Sequence, residues 1–156
     1  MLTMNHALAE KIDKVDRGYL SDEDILSLEG FVSNFSLRVK TYNILRDRAD
    51  ELVLQTLNLL AKQYPEIVKK HSQKCNYDMS HTLRYISVAL LRDDEIFFRE
   101  TLMNWYANII HSYQITSEIS TAYRLLQVVA EKILPADSFN LVNPYIQIAV
   151  SAFLKA

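Results

Sequence analysis

The stretch "KCNYDMSHTLRYISVALLRDD", residues 74–94, carries Met79, Leu83, Ile86 and Leu90 at three- and four-residue spacing. That period is helical, and it predicts a helix that begins near Cys75 and runs to the acidic pair Asp93 and Asp94. The rest of the chain repeats the pattern and offers little to interrupt it. Its glycines are Gly18 and Gly30 and its prolines stand at 65, 135 and 144, far fewer turn residues than a sheet of this size requires. The expected fold class is all-α.

Working toward the N-terminus, "ADELVLQTLNLLAKQY" (49–64) places Leu52, Thr56, Leu59 and Leu60 on one side of a helix. It stops at Pro65, whose ring disfavours helical dihedrals at Tyr64, and a short polar loop is expected to follow. In "YLSDEDILSLEGFVSNFSLRVKTYNIL" (19–45), Ser21 and Asp24 form a capping box, with Asp22 and Glu23 near the positive end of the helix dipole. A helix therefore starts near Asp22. Its stripe of Ile25, Leu28, Phe31, Val32 and Phe35 is expected to face a core. Before it, "NHALAEKIDKVD" (5–16) is amphipathic, with Leu8, Ile12 and Val15 on a narrow stripe that packs on the chain's own core or on a neighbouring subunit.

Toward the C-terminus three more helices are expected. One spans about 95 to 112, with Phe98, Leu102, Trp105 and Ile109 inward, and the others span about 117 to 133 and 139 to 154.

At 156 residues, with 49% hydrophobic and 23% charged residues, the chain has ordinary globular composition and the length of about one domain. Formal charge is −2 and no basic cluster is denser than "EIVKKHSQK", so the phosphate-neutralising stripe of a nucleic-acid binder is missing. Apolar runs fall far short of the about 20 residues needed to cross a bilayer. One cysteine and four histidines supply neither a CxxC pair nor HExxH, which leaves metal-ligand spacing absent. Nothing in this pattern points to secretion, and a cytoplasmic location is expected.

Cys75 is the chain's one cysteine. At a helix N-terminus beside Lys74 its thiol is expected to be acidified and nucleophilic. Asp78, one turn on, could accept hydrogen bonds from N–H donors of anything tethered to that sulfur. The alternative is plain packing, since free cysteine is among the most buried residue types. A cysteine-nucleophile enzyme is disfavoured, because His81 lies six residues on and about 120° around the helix.

The same residues resemble a known family. "YLS" at 19–21, Phe31, Val32, Leu37 and Arg38, followed by Cys75, Asp78, Leu83, Arg84 and "RDD" at 92–94, are similar to the signature of phycobiliproteins, in particular allophycocyanin-type subunits. The resemblance implies a globin-like fold: an N-terminal helical extension over residues 1–18 and a globin-like core over 19–156. It implies a non-enzymatic antenna protein with an open-chain tetrapyrrole, a phycocyanobilin-type bilin, bound as a thioether through Cys75. Asp78 would hold the inner pyrrole nitrogens, and Lys74 and Arg84 would meet the propionates. Arg84 lies about 180° around an ideal helix from Cys75 and could serve only by reaching around it or by contacting a long ligand. Partners would be phycobiliprotein subunits or a second copy, without membrane insertion, at the cytoplasmic face of the thylakoid with the phycobilisome.

Two departures stand out. Tyr77 occupies the place where the family carries an arginine, and it supplies neither charge nor fork. The segment "KKHSQK" replaces a longer glycine-containing loop. These leave open a pigment-free protein that docks on antenna subunits. A globin-like haem domain ligated by His81 or His111 ranks last.

Overall fold

The computed structural model describes residues 5–13 and 18–154, and every regular element among them is helical. An N-terminal helix α1 (His6–Ile12) precedes α2 (Asp22–Ser33), α3 (Phe35–Gln63) and α4 (Pro65–Arg92). Then come α5 (Glu95–Phe98), a π-helical segment at Arg99–Met103, and α6 (Asn104–Ser112). The chain closes with α7 (Thr116–Ile133) and α8 (Ala136–Leu154).

The capping box forms as the sequence implies. Ser21 Oγ accepts from the Asp24 backbone N–H, and the Asp24 carboxylate accepts from the Ser21 backbone N–H. Only Asn34 separates α2 from α3, a helix of 29 residues and therefore about 44 Å long at 1.5 Å per residue. Leu45, Leu52, Val53, Leu57 and Leu60 of α3 are buried against Met79, Leu83, Ile86 and Leu90 of α4 and against α7 and α8. The heptad-like spacing read from the sequence places all four of those α4 residues inside.

Three expectations change. The polar loop after Pro65 is helix, because proline at the first helical position costs nothing: its missing N–H would be an unsatisfied donor there in any case. The interruption comes later, at His71, whose φ of −128° and ψ of 23° kink α4 into two limbs.

The stripe on α2 does not face the core. None of its residues is buried, and Val32 and Phe35 are 61% and 47% exposed, because α2 packs mainly on α1 and on the start of α3. On α1, Leu8 is buried and Ile12 partly so, while Val15 lies outside the described residues.

The inward face of the 95–112 region shifts partway along. Phe98 and Leu102 are buried as expected, but Tyr106 and Ile110 replace Trp105 and Ile109 inside. The π-helical turn accommodates an extra residue, so each position beyond it advances by one.

Candidate functional site

Beyond the kink, His71, Lys74, Cys75 and Asp78 follow one another at i, i+3, i+4 and i+7, which places them on one face of α4. That face forms one wall of a cleft of about 600 Å³. Leu102, Trp105, Tyr106 and Ile109 form the facing wall, Leu57 and Leu60 of α3 lie beneath, and Ala122 and Tyr123 of α7 close the end. The volume falls within the about 300 to 1,000 Å³ of small-molecule sites, and apolar walls with a few convergent polar groups match the usual composition of such sites.

Three of the four expected residues, Lys74, Cys75 and Asp78, line this cleft. Arg84 does not. It sits exposed on the far side of α4, nine residues and about half a turn of azimuth from Cys75, where the helix itself stands in the way.

The electrostatics of Cys75 correct the expected activation. Its thiol is pushed above the ordinary cysteine value, first by burial and then by the Asp78 carboxylate, and Lys74 only partly offsets this. The reason is that α4 begins ten residues upstream. Cys75 has a complete helical turn and a kink before it, so the exposed backbone N–H groups that acidify a thiol at a helix start are elsewhere.

Asp78 is likewise pushed up by burial, against the pull of Lys74, His81 and the Tyr106 hydroxyl. Both groups are therefore held toward their neutral forms by a dry wall, and a cationic or N–H-rich ligand against Asp78 would favour the carboxylate.

Aromatic side chains frame the opening. Tyr77, Trp105 and Tyr113 all line the cleft and are exposed, and the Lys74 ammonium lies 5.7 Å from the centre of the Tyr113 ring. Tyr77 stacks on His81 with ring centres 5.8 Å apart, and His81 meets Tyr85 edge-on at 5.0 Å. Tyr77 thus presents a flat aromatic face to the opening rather than a charge.

The two histidines weighed as haem ligands do not converge. His81 lines the cleft, whereas His111 lines a separate groove between α6 and α8.

A buried hydroxyl cluster, unread in the sequence, lies behind Asp78. Tyr123 and Thr82 hydroxyls approach to 2.7 Å, and Thr82 Oγ1 donates to the Asp78 carbonyl at 3.0 Å. Tyr106, buried on α6, lines the same cleft as Asp78 and Tyr123. The signal available was the density of tyrosines; what hid their grouping is that Tyr106 turns inward only because of the π-helical turn.

Against family models, the chain matches that of the phycobilisome protein over residues 8–153. Among curated proteins no significant match is found.

Proposed function

The chain belongs to the phycobilisome protein family, and from that premise we propose that it is an antenna protein that binds an open-chain tetrapyrrole in the cleft beside α4. The observation that carries this reading is the convergence of Cys75, Asp78 and Lys74 on one wall of a cleft of small-molecule size. Such a pigment, when bound, supplies the absorption of visible light; everything else is the work of the chain.

The Cys75 thiol would add across an exocyclic double bond of the pigment, forming one S–C bond and passing its proton to carbon, with nothing leaving and no change in electron count. The Asp78 carboxylate would accept from the inner N–H groups, a charge-assisted contact that favours a protonated and extended pigment. Lys74, at the opening, is suited to a propionate. Leu57, Leu60, Leu102 and Ile109, which line the cleft, would exclude water and restrict twisting of a bound conjugated chain. Arg84 takes no part in this arrangement.

Partners of the same family, or a second copy, would cover the apolar face of α2, and the assembly would sit at the cytoplasmic face of the thylakoid. Residues 1–18 would then serve as an extension from a globin-like unit. Among the described residues no helix is long and apolar enough to cross a membrane.

A second reading, a pigment-free protein that docks on antenna subunits, is favoured by one observation: the thiol is deactivated where attachment chemistry wants a thiolate. One experiment separates the two. The protein is co-produced with a bilin-making pathway and attachment enzymes, and absorbance and zinc-induced gel fluorescence are compared with a Cys75→Ala control. Colour that survives denaturation and is lost in the control supports attachment at Cys75. A colourless wild type sinks the pigment reading.

A further inference from the structure

The groove between α6 and α8 has a volume of about 410 Å³ and shares no lining residue with the cleft. The π-helical turn builds it. On a regular helix Asn104 would stand about 140° round from Arg99. At Arg99–Met103 the Asn104 N–H instead donates to the Arg99 carbonyl, five residues back, which brings the two side chains toward one face. Asn108 and His111 follow four and seven residues after Asn104, so Arg99, Asn104, Asn108 and His111 form one row along the groove. Turns of this kind inside α-helices are frequent at functional sites, and here a single one directs Tyr106 into the cleft and Asn104 into the groove.

The chemistry of the row is uncommitted. Arg99 meets Glu95 only at 3.9 Å, with both side chains about half exposed, an ion pair that holds it weakly. Within the described residues Asn108 bonds through its backbone carbonyl, to Ser112, and neither carboxamide has a protein partner. No carboxylate lines the groove among the described residues. The opposite wall, from α8, includes Ile148 and Ala152, and Ala107 lies on the α6 side, so short or apolar side chains leave room for a main chain to approach.

The spacing selects the occupant. Four residues of helix separate the two carboxamides by about 6 Å, close to the about 6.6 Å spanned by two residues of an extended chain. A carboxamide carries a donor and an acceptor, so each can pair with the N–H and C=O of a main chain. Asn104 and Asn108 therefore match alternate residues of one strand. A small free anion would want cations that converge, whereas Arg99 and His111 stand at opposite ends of the row.

We infer that this groove binds an extended peptide segment of another protein, bonded through its main chain to Asn104 and Asn108 and carrying a carboxylate that meets Arg99. The site is separate from the cleft, and the inference stands or falls independently of the pigment reading.

The probe is a blocked heptapeptide with glutamate at both ends, valine at positions 2, 4 and 6 and threonine at positions 3 and 5, titrated into the full chain while the side-chain amide signals of Asn104 and Asn108 are followed by NMR. Saturable shifts of both signals are expected, with half-saturation below about 1 mM. Arg99→Gln is expected to weaken binding about tenfold, and Asn104→Ala with Asn108→Ala by at least as much. All three residues are exposed, so the variants are expected to keep the wild-type circular dichroism. Half-saturation above about 1 mM, or equal binding of the same peptide with lysine at both ends, overturns the inference. Sodium acetate that reproduces the shifts at the same carboxylate concentration also overturns it, since the groove would then recognise an anion and not an extended chain.

Discussion

His6 Nδ1 lies 2.7 Å from Asp94 Oδ2, joining the first residue of α1 to the cap of α5 across 88 positions of sequence. Asp94 is almost wholly buried and serves three elements: Oδ1 accepts from the Phe97 N–H at 2.9 Å, and Oδ2 accepts from His6 and, at 3.4 Å, from Arg92. Burial pushes its carboxyl up, but the Phe97 N–H, His6 and Arg92 outweigh that and hold it below the ordinary aspartate value.

Asp94→Ala removes a helix cap and leaves the half-buried Arg92 without its carboxylate, and it is expected to cost about 2–4 kcal/mol in urea unfolding. His6→Ala, which removes a single contact, is expected to cost about 1 kcal/mol and to speed amide exchange in α1 while leaving α4 protected. Because the folded-state pKa of Asp94 is depressed, its contribution is fully present above the unfolded value near 3.8 and is lost as pH falls through the folded one. An Asp94→Ala chain whose stability falls as steeply below pH 4 as the wild type would contradict this.

The deactivated thiol of Cys75 makes a kinetic prediction. Alkylation by a small maleimide is expected to be slower than that of a free cysteine peptide at pH 8 and to climb with pH beyond 9, the ordinary value for the thiol. Asp78→Asn removes the negative charge that opposes the thiolate, so it is expected to speed alkylation about threefold, half a pH unit of the thiol midpoint. An equal or slower rate in Asp78→Asn would show that burial alone sets the reactivity.

How much of this was legible depended on whether the answer was local. The Ser21–Asp24 box and the Met79–Leu83–Ile86–Leu90 stripe are decided within one or two helical turns, and both stand where the sequence puts them. The convergence of Lys74, Cys75 and Asp78 on a cleft followed from their spacing on one helix face. The stripe on α2 was read correctly as a stripe and wrongly as core, because period reports a buried face without saying what buries it. Trp105 and Tyr106 exchanged roles through the π-helical turn at Arg99–Met103, whose residues carry no mark of it. The acidity of Cys75 was misjudged because Pro65 started a helix rather than a loop.

Trp105 is the chain's one tryptophan, and it stands 58% exposed at the rim of the cleft. Its emission is expected near that of indole in water in the free chain and to be quenched when a conjugated ligand enters. Lys74→Gln is expected to weaken such binding about tenfold by removing a cation at the opening, whereas Arg84→Gln is expected to leave it unchanged, since Arg84 lies on the outer face of α4. Equal weakening by the two substitutions would mean that the ligand wraps around the helix.

The apolar face of α2 separates assembly from folding. Arg38 holds the corner between α2 and α3: it is buried, donates from Nη2 to the Phe31 carbonyl at 2.7 Å and lies 4.3 Å over the Phe31 ring. Arg38 thus ties α2 to α3 within the chain, while Ile25 and Val32 of α2 and Phe35 at the start of α3 remain exposed on one stripe. Large apolar side chains gathered along one exposed stripe are suited to cover by a partner of the kind proposed above. Ile25→Asp with Val32→Asp is therefore expected to change the melting temperature little, because neither side chain is buried in the single chain. The same pair is expected to shift the sedimentation of wild-type oligomer to that of a single chain. A wild type that sediments as a single chain at high concentration would mean that the face is reserved for a different subunit. A double variant that assembles unchanged would place the interface elsewhere, since two charges set opposite a partner's apolar surface leave desolvated carboxylates that no interface of this kind tolerates.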